Sequence, residues 1–129
     1  MRLIGAVVAA VILAFATVGT AGSTGSVEPA APSVENVAVA PYPCGTVHWP
    51  DGRETQFCVG EDHRIYWRER RDSGEPWGPW HDMGGYATSG VTVNGDRTWH
   101  PQIVVRGADY VTYWERHWDG ARWTEWARY

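Results

Sequence analysis

Residues 60–67 read GEDHRIYW and residues 107–114 read GADYVTYW, so one short pattern occurs twice in the chain, about 47 residues apart. Just upstream, residues 56–59 (QFCV) are similar to residues 102–105 (QIVV). Repeats with this spacing are typical of propeller blades and solenoid units, which cannot bury their apolar faces alone. We therefore predict two consecutive structural repeats, each of which needs a neighbour.

Between the two patterns, turn signals rich in Gly, Asp and Asn recur every eight to twelve residues or so, and they separate runs rich in Val, Ile, Thr, Tyr and Trp. No run shows a sustained helical period with caps. We expect an all-β fold of two antiparallel, propeller-blade-like sheets of about four strands each, in repeats 42–85 and 86–129. The expected strands are 45–49, 54–59, 63–69, 77–82, 89–93, 102–106, 110–117 and 122–127.

The first residues differ from the rest of the chain. Residues 1–21 combine Arg2, an apolar run and small residues at the end, which is the pattern of a secretory signal peptide. Residues 22–41 are rich in Ala, Val, Ser and Pro, and we expect a disordered linker there, because such a composition buries too little surface to offset its ordering entropy. We therefore predict secretion and a folded domain at residues 42–129.

The two cysteines, Cys44 and Cys58, are placed symmetrically about Asp51 within the turn signal PDG. If the chain folds back there as a hairpin, Val47 faces Thr55 and the two cysteines face each other, close enough for a disulfide. Export to an oxidising compartment favours the same pairing. We expect a Cys44–Cys58 disulfide.

The formal net charge is −4, and all eleven cationic side chains are arginines. This balance argues against non-specific binding to nucleic acid, and against binding to anionic membranes once the signal peptide is removed.

Neither a catalytic nor a metal-binding pattern stands out. The histidines are scattered without HExxH or paired-cysteine context, and no GxSxG motif occurs. Carboxylates near arginines on strands fit cross-strand ion pairs better than a glycosidase pair. We expect no enzyme, no cofactor and no metal. The residues considered were His48, His63, His81, His100, His117, Glu54, Glu69, Glu115 and Glu125, with Arg68, Arg70, Arg116 and Arg122 as ion-pair partners.

All nine tryptophans lie in the predicted domain, and each repeat carries two of them three residues apart, Trp77 with Trp80 and Trp123 with Trp126. In an extended strand such a pair points to opposite faces, so one ring should enter the core and the other should remain accessible. We expect the second ring of each pair to be the accessible one.

Strand alternation also places Trp67 and Trp114 on one face and Tyr66 and Tyr113 on the other. The tyrosines would then assist the accessible tryptophans. The ligand-binding residues predicted from the sequence are Trp80, Trp126, Tyr66 and Tyr113.

Taken together, residues 59–85, with the motifs IYW, PWGPW and DMGG, resemble a blade of the tectonin-type and Photorhabdus-lectin-like β-propellers. The second copy, 105–126, keeps the RGxD, YW and WxxW elements. The resemblance implies a secreted lectin that holds sugars, often methylated or deoxy sugars, between blades with Trp and Tyr rings. Family propellers have several blades in one chain, so two blades would either pack as a sandwich or assemble between chains into a ring.

Three functions remain open on the sequence. We favour a secreted, non-enzymatic carbohydrate-binding module. The alternative is a secreted protein-binding factor, such as an inhibitor or modulator of an extracellular protease, because Trp, Tyr and Arg also dominate protein hot spots. The third is half of a larger homo-oligomer that completes a propeller-like ring.

Overall fold

A computed structural model describes residues 33–34 and 36–129 of the chain. The predicted signal peptide, residues 1–21, and the first part of the predicted linker, residues 22–32, lie outside the described residues. Within the described part, no helix is long and apolar enough to cross a membrane.

The described residues form an all-β fold without a helix, as predicted. Two antiparallel sheets follow one another along the chain. The first has the strand order β1-β5-β4-β3-β2 and the second has the order β6-β7-β8-β9. The strands are β1 (Ser33–Val34), β2 (Gly45–His48), β3 (Glu54–Val59), β4 (Ile65–Arg70), β5 (Trp80–Gly84), β6 (Thr92–Asn94), β7 (Gln102–Arg106), β8 (Tyr113–His117) and β9 (Ala127–Arg128).

One strand was not expected. β1 lies in the segment predicted to be a linker and pairs with the outer edge of β5, where Val34 lies opposite Trp80. Further along the same segment, Ala40 donates its N–H to the carbonyl of Val59 at 2.8 Å and is buried in the core. Backbone pairing therefore orders residues 33–34 and 38–40 of the segment expected to be a disordered linker, although the segment lacks aromatic side chains.

The β2–β3 hairpin has the predicted register. Val47 pairs with Thr55, and Gly45 pairs with Phe57. The next pair outward is Cys44 and Cys58, which form a disulfide with a Cα–Cα distance of 4.4 Å. The symmetric spacing about the turn was thus sufficient to predict both the hairpin and its crosslink.

A single apolar core holds the two sheets together. Phe57 and Ile65 from the first sheet and Ile103 and Val105 from the second belong to the same buried cluster. The ring of Phe57 meets that of Trp123 edge-on, with centroids 5.2 Å apart. Each sheet therefore buries one face against the other, as expected of repeats that cannot fold alone.

Backbone hydrogen bonds show which positions of the two repeats are equivalent. In the first repeat, the carbonyl of Val59 accepts from the N–H of Ala40, and in the second the carbonyl of Arg106 accepts from that of Thr88, both at 2.8 Å. Val59 and Arg106 thus occupy the same hydrogen-bonding position. Val59 nevertheless points into the core, whereas Arg106 is on the face opposite to the buried Val105.

The equivalence extends to the neighbouring strands. Tyr66 lies opposite Cys58 in the first repeat, and Trp114 lies opposite Val105 in the second. Tyr66 therefore matches Trp114, so the residue-by-residue alignment of 60–67 with 107–114, which sets Tyr66 against Tyr113, is wrong by one residue. The cause is the turn between the strands, which spans residues 60–64 in the first repeat and 107–112, one residue more, in the second.

The same shift corrects the expected match of Trp67 with Trp114. Both rings still lie on the core side of their sheets, because Trp67 pairs with the buried Phe57 and Trp114 with the buried Val105. Trp80 and Trp126 do match, as expected.

It follows that the sheets are stacked front to back. The face that sheet 1 turns towards the core, with Val59 and Ile65, is equivalent to the outward face of sheet 2, with Arg106 and Tyr113. A sandwich of equivalent faces would have placed Arg106 inward. Front-to-back stacking is the relation between consecutive blades of a propeller.

Removing the disulfide by replacing Cys44 and Cys58 with Ser should lower the free energy of unfolding by about 3 kcal/mol, because the bond closes a loop of some 14 residues in the unfolded chain. Urea denaturation of the variant and the wild type measures the difference. Excess reductant should shift the wild type by the same amount and leave the variant unchanged. Equal stability of oxidised wild type and variant would contradict the prediction.

Candidate functional site

An apolar groove, which we call the main groove, lies where the connection between the two repeats meets the β7–β8 turn. It has a volume of about 400 Å³, and most of its wall is apolar. The residues that line it are Gly85, Tyr86, Val105, Gly107, Ala108, Asp109, Trp114 and Trp126.

Trp114 supplies one aromatic wall of the groove. Its side chain is on the core side of β8 but remains 37% exposed. The indole lies against the backbone of the β7–β8 turn, since a Cβ on Gly107 would come within 2.7 Å of Trp114 Nε1. Glycine at this position thus allows the ring to pack on the main chain and leaves the remainder of the indole free to contact a ligand.

Trp126 supplies a second aromatic wall and is held more firmly. It packs against the core, and the guanidinium of Arg116 lies 5.6 Å from its ring centroid. Gly85 has φ +83°, and a Cβ there would lie 2.8 Å from Trp126 Nε1. The indole N–H is buried without a hydrogen-bond partner among the described residues. Burying an unpaired N–H is energetically unfavourable, so its presence in the groove wall points to a functional role.

Asp109 lies on the rim of the groove and organises its turn. Its carboxylate accepts hydrogen bonds from the backbone N–H groups of Val111 and Thr112 and from the Thr112 hydroxyl. The Thr112 hydroxyl and these N–H groups lower the pKa of Asp109 to about 2. The groove therefore carries one exposed carboxylate that is ionised throughout the physiological range.

The equivalent position in the first repeat is closed by a polar pair. The Tyr66 hydroxyl donates to Asp62 at 2.6 Å, and this bond, with burial and nearby carboxylates, raises the pKa of Tyr66 to about 12. Tyr66 is only 8% exposed. The expectation that Tyr66 is an accessible ring is wrong, because its hydroxyl is bonded to Asp62 and its ring lies against Gly60.

Trp80 and Trp77 lie on the outward face of sheet 1. The guanidinium of Arg68 is 4.3 Å from the ring centroid of Trp80 and 4.9 Å from that of Trp77, and Arg70 is 4.2 Å from Trp77. The four side chains form a ladder in the order Arg70, Trp77, Arg68, Trp80. We call this set the Arg–Trp ladder.

The prediction that each Trp pair has one core ring and one accessible ring is wrong for both pairs. Trp77 and Trp80 both contact the outward-facing Arg68, whereas Trp123 and Trp126 both pack against the core. Strand alternation fails because Trp77 and Trp123 lie in the loops before β5 and β9, so only the second member of each pair is at or next to a strand.

Tyr113 is outward-facing and 47% exposed, as predicted, but it does not line the groove. Of the four ligand-binding residues predicted from the sequence, the groove includes Trp126 alone.

Most of these histidines and strand carboxylates have side-chain partners within the fold. His48 bonds Asp96, His63 bonds the carbonyl of Ala87, and His81 stacks on Trp67. Glu54 pairs with Arg70 at 3.0 Å. No group of three or more potential metal-ligating side chains occurs in the part of the chain that the structure describes.

The aromatic and acidic side chains Trp114, Tyr86 and Asp109 line the groove but were not among the ligand-binding residues predicted from the sequence. Part of the signal for the groove was present in the glycines, because Gly85 directly follows β5 and Gly107 directly follows β7, and each leaves room for an indole of the second repeat. Which tryptophan belongs to which glycine depends on long-range packing that the sequence does not display.

No protein-family model and no curated protein sequence matches this chain significantly. The tectonin-type resemblance thus remains an expectation from motifs.

The carboxyl of Asp109 should titrate with a midpoint near pH 2, below the ordinary value of 3.8. Because the folded-state pKa is lowered, ionised Asp109 favours the folded turn above the ordinary pKa, and this contribution is lost as the pH falls through about 2. NMR of the side-chain carboxyl carbon measures the midpoint.

The matched variant Thr112→Val removes the hydroxyl donor, so the midpoint should move up towards 3.8. A wild-type midpoint at or above 3.8 would show that the turn does not hold the carboxylate as described.

Proposed function

We propose that this chain is a secreted, non-enzymatic module that binds carbohydrate in the groove beside Trp114 and Trp126. The observation that carries the proposal is the groove itself, which brings two indole rings and Tyr86 around a concave apolar surface. Small-molecule sites are typically concave and mostly apolar, with few polar groups that fix orientation.

The chemistry of the groove suits a sugar that has an apolar C–H face. Aromatic rings supply the area for such a face, and the ionised Asp109 supplies a fixed acceptor. Asp109 Oδ2 accepts one hydrogen bond from Thr112, so it retains acceptor capacity for a ligand hydroxyl. Methylated or deoxy sugars, which the tectonin-type resemblance implies, match this mostly apolar wall.

Secretion is supported by the Cys44–Cys58 disulfide, since such bonds persist in oxidising compartments. A non-enzymatic role is supported by the engagement of the strand carboxylates. Glu54 is paired with Arg70, and Glu115 accepts from Gln102 and His117.

The alternative is a protein-binding factor such as a modulator of an extracellular protease. It is favoured by a different observation, a group of exposed apolar side chains on the second repeat. Contiguous exposed apolar side chains are typical of interaction surfaces. These are Tyr110, Val111, Tyr113 and Tyr129.

Replacing Trp114 with Ala should weaken glycan binding about tenfold or more, because it removes one aromatic wall. The ring is 37% exposed, so the variant should also lose about 1–3 kcal/mol of unfolding free energy while remaining folded. Retention on immobilised monosaccharides, including O-methylated and deoxy sugars, measures binding. Thermal unfolding measures stability.

The matched control is Trp99→Ala, which removes an exposed tryptophan outside the groove and should leave retention unchanged. If no immobilised sugar retains the wild type, or if Trp99→Ala and Trp114→Ala behave alike, the carbohydrate proposal fails and the protein-binding alternative takes precedence.

A further inference from the structure

A half-buried arginine, Arg116, lies at the interface between the two sheets. Arg116 projects from sheet 2 and donates hydrogen bonds to the carbonyls of Met83 in sheet 1, at 3.1 Å, and of Thr124 in its own repeat. Its guanidinium lies 5.6 Å from the ring centroid of Trp126, and burial lowers its pKa. Sheet 2 thus docks on sheet 1 with an arginine stacked on tryptophan.

The first repeat carries the same constellation on its outward face. Arg68 follows Tyr66 by two residues just as Arg116 follows Trp114, and Trp80 matches Trp126. These side chains belong to the Arg–Trp ladder. Arg68 forms no ion pair among the described residues, and its Nε–H donates to Gln56 Oε1 at 2.8 Å.

The surface that would receive this face is the outward side of sheet 2. By the hydrogen-bond equivalence, Tyr113 takes the place of Ile65, and Tyr129 takes the place of Met83. Ile65 is fully buried in the internal interface, whereas Tyr113 is 47% and Tyr129 is 67% exposed. Two rings therefore stand uncovered where the first repeat is covered by the second.

The β3–β4 turn of the first repeat is covered by other residues, whereas the equivalent β7–β8 turn of the second repeat is exposed. His63, at the tip of the β3–β4 turn, stacks on Tyr86 with ring centroids 4.6 Å apart and accepts the N–H of Ala87 on its carbonyl. Tyr110 has the same left-handed backbone conformation, with φ 62° against 69° for His63, but is 61% exposed. The second repeat thus presents an uncovered version of the turn that receives the connection between repeats.

We infer that the outward face of sheet 1 docks on the outward face of sheet 2 of a second copy of this chain, head to tail. The contact repeats the front-to-back stacking inside the chain, with Arg68 donating to the carbonyl of Tyr129 in the second copy as Arg116 donates to Met83. Such an interface is heterologous, so it generates a closed ring or an open filament. The inference rests on the internal equivalence and not on carbohydrate binding.

The docked copies would also complete a second groove. A recess of about 230 Å³ lies beside Asp62 and Tyr66, the residues that match Asp109 and Trp114 of the main groove. Its other walls come from residues 36–38 and Glu61. In the assembly, the interface between two copies would pass along this recess. The interface between the two sheets of one chain passes along the main groove in the same way.

The association should be weaker than the internal packing. Arg106 stands where the first repeat has the buried Val59, and a charge at an interface is costly unless it is paired. We therefore expect reversible, concentration-dependent assembly.

Sedimentation equilibrium of the full chain from about 1 μM to about 1 mM tests the inference, since weak assembly falls in this range. The mean mass should rise with concentration above that of one chain. Arg68→Glu puts a negative charge on the outward face of sheet 1 and should prevent that face from docking. Tyr113→Glu should do the same for the outward face of sheet 2. Each variant alone should remain monomeric, while an equimolar mixture should form a one-to-one complex, because each retains the face that the other lacks.

The control Arg97→Glu changes an arginine that is 76% exposed and outside both faces, so it should assemble like the wild type. Circular dichroism checks folding, and Tyr113→Glu remains informative if Arg68→Glu unfolds, because Tyr113 is half exposed. A monomeric wild type at every concentration overturns the inference. Assembly of either variant alone, or no complex in the mixture of folded variants, also overturns it.

Discussion

The apolar faces of the two sheets can leave water only by packing against each other, and the rest of the structure depends on this burial. Phe57 and Ile65 on one side and Ile103 and Val105 on the other form one cluster. Full burial of such a side chain contributes about 1.5–3 kcal/mol. The groove exists because this packing ends at Gly85 and Gly107, where small residues leave the indoles of the second repeat beside an open space.

Local patterns in the sequence were sufficient for much of the fold. The turn at Asp51 predicted the hairpin register and the Cys44–Cys58 bond, and the Gln102–Arg106 strand was predicted to the residue. The β1 strand was not predictable in this way, because two residues on a sheet edge are held by pairing with β5 and not by their own composition.

The candidate site was harder to predict because it depends on one residue of register. The order of motifs is the same in both repeats and suggested that Tyr66 and Tyr113 match. The turn 107–112, however, has one residue more than the turn 60–64, so the strand pairing after it is shifted by one residue. Tyr66 consequently shares its position with Trp114, and the same position is closed by Asp62 in one repeat and open in the other. The sequence between the strands could be read directly, but it did not show which residues make the hydrogen bonds that close each turn.

The connection between the repeats belongs to both of them. The N–H of Ala87 bonds to His63 of the first repeat, and the N–H of the next residue, Thr88, bonds to Arg106 of the second. Two adjacent peptide groups therefore join both halves, and neither half can lose its structure without breaking a bond held by the other. The domain should behave as a single cooperative unit, so a proteolytic cut at this connection would uncouple two halves that cannot each persist alone.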